Sequence, residues 1–177
     1  MNLFQDSTLS PFANEVEVLN YALTLEHLEA TFYREAIATF GADDFVALGF
    51  QASVLDKIVA IGQHEADHVA VLTEVITSLG GEPAVEAVYD FGYTTLEEFL
   101  ATAAAVENLG VAAYTGAAQY LIENDALLTN ALTIHGVEAR HASYLNLVNN
   151  TIPFPDVVDA PMTPDEVLAV AGPFIVG

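Results

Sequence analysis

The chain has 177 residues and no cysteine, and this length suits one compact domain with a substantial core. The lack of thiols excludes a disulfide scaffold, a thiol nucleophile, an iron–sulfur cluster and any thiolate metal site. Twenty-five acidic residues outnumber three basic ones, which gives a formal net charge of −22. Such a surface repels nucleic acid and anionic membranes and attracts cations.

Apolar residues make up 53% of the chain, so its acidity does not indicate disorder. Excess carboxylate with almost no lysine is typical of adaptation to high salt, where dense screening removes the self-repulsion. An acid-exposed extracellular protein is the other interpretation. No apolar run is long enough to span a membrane. The start, MNLFQDSTLSPFANEVE, lacks the features of a secretory signal, which predicts a cytoplasmic protein unless a leader has been removed.

The first half of the chain contains two long segments with helical spacing. The first is predicted to begin after Pro11, with Asn14 as its N-cap, and to end near Gly41. The second covers about 53–79 and is followed by a glycine pair, a common stop signal. Between them, 42–51 is predicted to be a short helical or irregular insert.

Two further helices are predicted in the second half. The third begins at the capping box Thr95-x-x-Glu98, and the fourth covers about 124–149. The tail, about 151–177, is rich in proline and cannot continue the fourth helix, although 166–171 is predicted to form a short outer helix.

The connection between the second and third helices, 80–94, has 15 residues. A chain of that length reaches about 50 Å, whereas a 26-residue helix is about 39 Å long. It can therefore cross the whole bundle. The prediction is one all-α domain over 1–177, with a four-helix bundle at about 14–150 made of two antiparallel hairpins joined by this long crossover.

Each helix has an apolar seam whose residues are three or four positions apart, and each seam is interrupted at its middle by acidic or ligating residues. The first and third helices place one glutamate there, and the second and fourth place a Glu-x-x-His. The six interrupting residues are Glu26, Glu65, His68, Glu107, Glu138 and His141.

Buried carboxylates are costly unless they are paired or bind a metal ion. Residues three apart lie on one side of a helix, so each Glu-x-x-His can offer an oxygen and a nitrogen to one centre. Four carboxylates and two imidazoles balance two divalent cations, and this mixture suits iron or manganese. The sequence therefore predicts a two-metal site. Satisfied polar core residues, or a site with one ion or none, are the alternatives.

Other residues are candidates near this site. Glu29 lies one turn from Glu26 and could replace it as a ligand. Glu26 is favoured because Tyr33 follows it by seven positions, as Tyr114 follows Glu107. Either tyrosine could hydrogen-bond a ligand, or both could simply pack in the core.

The remaining histidines and one arginine have weaker roles. His27 and His64 lie off the seams and are predicted to be surface or interface residues. His135, one turn before Glu138, is a possible hydrogen-bond partner of the site. For Arg140, a salt bridge that steadies the anionic site or an interface is favoured over substrate binding.

Four stretches resemble a known family: LNYALTLEHLEATFYREA, IGQHEADHVAVLTEVITSLGGEP, VENLGVAAYTGA and IHGVEARHASYLNLV. Over roughly 14–150 the chain resembles the ferritin-like family that includes the plant desiccation-related proteins. A more distant similarity to bacterioferritin and rubrerythrin is carried by Glu26 with Tyr33 and by Glu65 with His68. The resemblance implies a ferritin-like four-helix bundle with a di-metal site.

Three functions are compatible with these features. The first is a di-iron or di-manganese oxidoreductase acting on a small oxygen species, peroxide or dioxygen, in stress protection. The second is a ferritin-type iron store, and the third is a structural or self-assembling stress protein whose metal site braces the fold. The high apolar content also predicts a homo-oligomer.

Overall fold

The computed structural model describes residues 10–177 and consists of six α-helices joined by loops. No β-strand lies in this part of the chain, where one isolated bridge joins Tyr89 to Ile175. Much of the stretch used for the leader prediction lies outside the described residues. The helices are α1 (Glu15–Thr39), α2 (Ala42–Ala47), α3 (Ser53–Ser78), α4 (Leu96–Ala117), α5 (Asp125–Val148) and α6 (Pro164–Ala171).

The helix starts follow from their capping residues. The side chain of Asn14 accepts a hydrogen bond from the backbone N–H of Glu17, as predicted for α1. Thr95 and Glu98 form the predicted capping box of α4. Asn124 caps α5 in the same way as Asn14 caps α1. The insert at 42–51 contains the short helix α2. The four long helices α1, α3, α4 and α5 occur in the predicted order, which confirms that part of the prediction.

Helix α1 packs against α3, and α4 packs against α5, as two hairpins. The connection between α3 and α4 runs along the whole of α1. Near the start of α1, Asn20 Nδ2 donates to the carbonyl of Glu82 at 3.0 Å. Beyond the end of α1, the ring centroids of Phe40 and Tyr93 lie 6.1 Å apart. The predicted crossover is therefore confirmed.

The apolar core is divided into two clusters. One, at one end of the bundle, contains Phe32, Ile58, Phe99 and Leu145. The other, at the opposite end, contains Leu19, Leu72, Ile76, Leu127 and Ile134. In α3 and α5 the Glu-x-x-His residues lie between these two sets. Together with Glu26 and Glu107 they form a polar layer, which has apolar packing on both sides.

The C-terminal tail packs on α4 and on the crossover. The backbone N–H of Met162 donates to the carbonyl of Ala112 at 3.1 Å, and the N–H of Val88 donates to that of Gly177 at 3.1 Å. The predicted outer helix is α6, which begins two residues earlier, at Pro164. Among residues 10–177, no helix combines the length and apolarity that a membrane crossing requires.

The close approach of the tail to α4 depends on Gly116. A Cβ atom there would lie 1.9 Å from the carbonyl oxygen of Met162, a backbone atom that can move only with the tail. We expect Gly116→Ala to lower the free energy of unfolding by about 2–4 kcal/mol, measured by urea denaturation. Gly136→Ala is the matched control within α5, where the nearest outside atom is 3.8 Å from the new Cβ. That substitution is expected to raise stability by about 0.5–1 kcal/mol, and equal effects at both positions would contradict this packing.

Candidate metal centre

The polar layer at the middle of the bundle contains all six predicted ligand residues. The carboxylates of Glu26, Glu65, Glu107 and Glu138 are at most 1% exposed. His68 and His141 are also buried, at 8% and 5% exposure. One glutamate comes from each of the four long helices, because each seam turns toward the bundle axis at this level. The structure therefore brings together the residues that the seams singled out.

The ligand atoms form two overlapping groups, and within each group all atoms lie within 4.8 Å of one another. The first group is Glu26, Glu65, His68 and Glu138, and the second is Glu65, Glu107, Glu138 and His141. Glu65 and Glu138 belong to both. The arrangement has two positions, each with one imidazole and one carboxylate of its own, joined by two shared carboxylates.

Both imidazoles turn Nδ1 toward the carboxylates. His68 Nδ1 lies 3.0 Å from Glu65 Oε2 and 3.2 Å from both Glu26 Oε2 and Glu138 Oε1. His141 Nδ1 lies 2.8 Å from Glu65 Oε1 and 3.2 Å from Glu107 Oε2.

Several of these buried atoms have no hydrogen-bond partner despite the short distances. They are Glu65 Oε1, Glu107 Oε2, both oxygens of Glu138, and His141 Nδ1. Their contacts are close but not aligned for hydrogen bonding. Buried polar atoms without partners are costly, whereas oxygen and imidazole nitrogen atoms that converge in this way suit a hard or borderline cation. The donor set therefore fits metal ions and could hold them.

Two tyrosines support the layer reciprocally. Tyr33 on α1 donates to Glu107 Oε1 on α4, and Tyr114 on α4 donates to Glu26 Oε1 on α1, each at 2.5 Å. Burial, together with these carboxylates, holds the pKa of both phenols well above the usual range, so both remain donors. Of the two sequence interpretations, hydrogen bonding to a candidate ligand is therefore right for each tyrosine.

Glu29 is a fifth buried carboxylate at this level. It is 3% exposed and belongs to neither group of converging atoms. It faces Gly110, where a Cβ would lie 3.2 Å from Glu29 Oε1 and 3.1 Å from Glu138 Oε2. Glycine at 110 thus leaves room for two carboxylates side by side, and Glu26, not Glu29, lies within the ligand groups.

The carboxylates share one low-dielectric volume, so most of them resist ionisation. Burial first, then the charge of Glu138, raises the pKa of Glu26 to about 8. Burial also raises the pKa of Glu29, Glu107 and Glu138. Glu65 differs: burial opposes its ionisation, yet contacts with both histidines hold its pKa at about 2.

The two imidazoles respond in the opposite sense. Burial alone would lower the pKa of His68, but contacts with Glu138, Glu26 and Glu65 raise it to about 12. Burial would likewise lower the pKa of His141, which Glu107 and Glu65 raise to about 10. With no ion bound, the layer therefore retains protons that a cation would displace.

The structure places three further residues of the sequence analysis. His135 Nε2 lies 3.0 Å from the hydroxyl of Thr115 and makes no hydrogen bond with Glu138, so the predicted hydrogen bond to the site is not formed. His27 is half-buried, and its Nε2 lies 3.1 Å from the carbonyl of Ala84 in the crossover. Arg140 is in no ion pair with a carboxylate of residues 10–177, and a salt bridge at an interface stays a prediction.

His64 is exposed, as predicted, but it also touches the site. Its Nδ1 lies 2.9 Å from His141 Nε2, and the two rings stack with their centroids 5.2 Å apart. Sequence reasoning missed this contact because it joins α3 to α5, and the spacing within one helix carries no signal for it. The position of His64, one turn before His68, was the one available hint.

These pKa shifts predict how stability depends on pH in the metal-free protein. Between pH 6 and pH 9 the folded state holds protons on Glu26, His68 and His141 that the unfolded chain releases. We therefore expect Tm to fall by about 5 °C or more across this range at fixed high salt, measured by calorimetry after chelation. The lowered pKa of Glu65 makes stability rise with pH, but only below pH 4.5, the ordinary pKa of this carboxyl. A Tm that rises or stays constant from pH 6 to pH 9 would contradict the burial of these groups.

The comparisons with known proteins agree with this architecture. A search of curated proteins gives no significant match. The sequence model of the family described as the ferritin-like domain matches residues 14–151, from the cap of α1 to the end of α5. This match covers well over half of the chain and includes every residue of the polar layer. The protein therefore belongs to the ferritin-like domain family.

Proposed function

We propose that the polar layer is a di-metal centre, binding iron or manganese, that carries out redox chemistry on peroxide or dioxygen. The observation that carries this proposal is the pair of overlapping groups that share Glu65 and Glu138. Two cations bridged by carboxylates need such sharing, whereas one cation would need only one of the groups. The pair of imidazoles, one in each group, favours iron or manganese over calcium or magnesium.

In this proposal Glu26 and His68 would hold one ion, Glu107 and His141 would hold the other, and Glu65 and Glu138 would contribute to both. Ions bound there would transfer electrons and would polarise an oxygen species. The chain has no cysteine thiol that could take over the redox role. The four ligand carboxylates neutralise two divalent charges, which removes the mutual repulsion that opposes their ionisation.

The surrounding residues position these ligands. Tyr33 and Tyr114 each hold one carboxylate oxygen of the opposite hairpin, which leaves the other oxygen for an ion. If Nδ1 of His141 holds an ion, its Nε2 carries the hydrogen and donates a hydrogen bond to His64 Nδ1, which would fix the ring orientation. The apolar clusters on both sides exclude water, so the site stays dry except near the histidines.

A structural or self-assembling role is the alternative, in which bound ions brace the bundle. It is favoured by a group of exposed apolar residues in the tail, where Phe154 is 77% and Val157 fully exposed. The same residues support the proposal that the protein is a homo-oligomer. A ferritin-type store additionally needs a hollow shell, which the particle mass in solution would distinguish from a small oligomer. The resemblance to desiccation-related proteins supports a role in stress protection.

Metal content tests the site directly. We expect about two iron or manganese ions per chain in protein purified without chelator or reconstituted anaerobically, measured by inductively coupled plasma mass spectrometry. Glu65→Ala/His68→Ala should lose them, since it removes a shared carboxylate and one imidazole. Glu29→Gln is the matched control, because it alters an equally buried carboxylate outside the two groups and should retain both ions. No metal in the reconstituted protein, or equal loss in the control, would overturn the proposed ligands.

Catalysis separates the redox role from the bracing role. Metal-loaded protein is expected to consume peroxide, or dioxygen in the presence of iron(II), at least about a hundredfold faster than Glu65→Ala/His68→Ala, measured with an oxygen electrode. The same electrode trace distinguishes release of oxygen from its uptake. Protein that holds two ions but shows the background rate in every assay would contradict the redox role and leave the bracing role.

A further inference from the structure

A cavity of about 460 Å³ lies between α3 and α5, on the side where the two hairpins make little contact. The buried residues His68, His141 and Ile61 are at its inner end, and the exposed residues Lys57 and Arg140 are at its mouth. Its volume falls within the range of small-molecule sites, about 300–1,000 Å³. The cavity therefore brings solvent-accessible space next to the two histidines of the polar layer.

The charge at the mouth is unusual for this protein. Lys57 and Arg140 are two of only three basic residues in a chain with 25 acidic ones, and they come from different helices. Neither is in an ion pair with a carboxylate among residues 10–177. The third, Arg34, is paired with Glu86 of the crossover at 2.7 Å and does not line this cavity. Two unpaired cations are thus concentrated where an anionic ligand would enter.

The rest of the lining is largely apolar. Ile61, Val137 and the ring of Tyr144 provide apolar surface between the mouth and the histidines. Asp67 is the one carboxylate in the lining outside the polar layer, and it accepts a hydrogen bond from Gln63 Nε2 at 3.0 Å. Unpaired cations next to an apolar wall suit a molecule with a single anionic group and an apolar body.

We propose that this cavity binds a small organic anion of the carboxylic acid type. Its charged group contacts Lys57 and Arg140, and its apolar part packs against Ile61, Val137 and Tyr144, beside His68 and His141. As a binding site the cavity stands independently of the metal centre. As the substrate site of a redox enzyme it rests on the proposed function, because the apolar part then lies next to the proposed ions.

The test measures binding of octanoate by isothermal titration calorimetry at fixed ionic strength, on protein whose metal content is determined in the same sample. We expect saturable binding, with octanamide, the neutral analogue, about tenfold weaker or more. Inorganic phosphate at the same concentration should not displace octanoate, because it lacks the apolar part.

Variants separate local contacts from overall charge. Lys57→Gln/Arg140→Gln alters two exposed side chains, so folding should be preserved, and it should weaken octanoate binding about tenfold or more. Arg34→Gln changes the net charge in the same direction away from the cavity, and its effect should stay below about twofold. Circular dichroism and Tm show that each variant is folded.

The failure of this inference is distinguishable from failure of the metal centre. Two bound ions with no saturable octanoate binding would overturn the inference alone. Equal binding of octanoate and octanamide, or equal weakening by the variants at 34 and at 57/140, would also overturn it. Charge-dependent octanoate binding in protein that cannot be loaded with metal would contradict the proposed function and leave the anion site in place.

Discussion

The burial of five carboxylates in one layer is the constraint on which the rest of the molecule depends. The five are Glu26, Glu29, Glu65, Glu107 and Glu138. Moving one isolated charge from water into such an apolar interior costs on the order of several kcal/mol, because the charge loses its hydration. Two imidazoles and two tyrosines offset part of this cost. Several oxygen atoms still have no hydrogen-bond partner, and the converging carboxylate and imidazole atoms could hold cations. The division of the core into two clusters follows from the same layer.

The connections of the chain serve this layer. The crossover holds the two hairpins together along α1 and lets each hairpin contribute one Glu-x-x-His and one further glutamate. The tyrosine pairs link the hairpins across the axis, since Tyr33 holds Glu107 and Tyr114 holds Glu26. Within the described residues a cavity lies between α3 and α5, and its lining includes two of the three Lys and Arg residues in the protein. An anion that enters this cavity would meet Lys57 and Arg140 before the two histidines of the layer.

Much of this was predictable from the sequence because helical periodicity determines which residues share a seam. Four seams, each interrupted at the same level, were sufficient to assemble the six residues of the layer. The length of 80–94 likewise predicted the crossover. Contacts between helices were not predictable in the same way. His64 Nδ1 contacts His141 Nε2 between α3 and α5, and His135 Nε2 contacts the hydroxyl of Thr115 rather than Glu138. These contacts depend on helix rotation and on how closely α5 approaches α3 and α4, which spacing within one helix does not encode.

Two ions that occupy one layer and share Glu65 and Glu138 would be distinguishable from a single ion and from ions bound at the surface. Anomalous X-ray diffraction from crystals loaded with manganese measures this most directly, because it locates each ion independently of the protein density. Two peaks are expected inside the bundle, one beside Nδ1 of His68 and one beside Nδ1 of His141, both in contact with the shared carboxylates. Peaks confined to surface carboxylates, or a single peak bound to one group in fully loaded crystals, would contradict the proposed two-ion site.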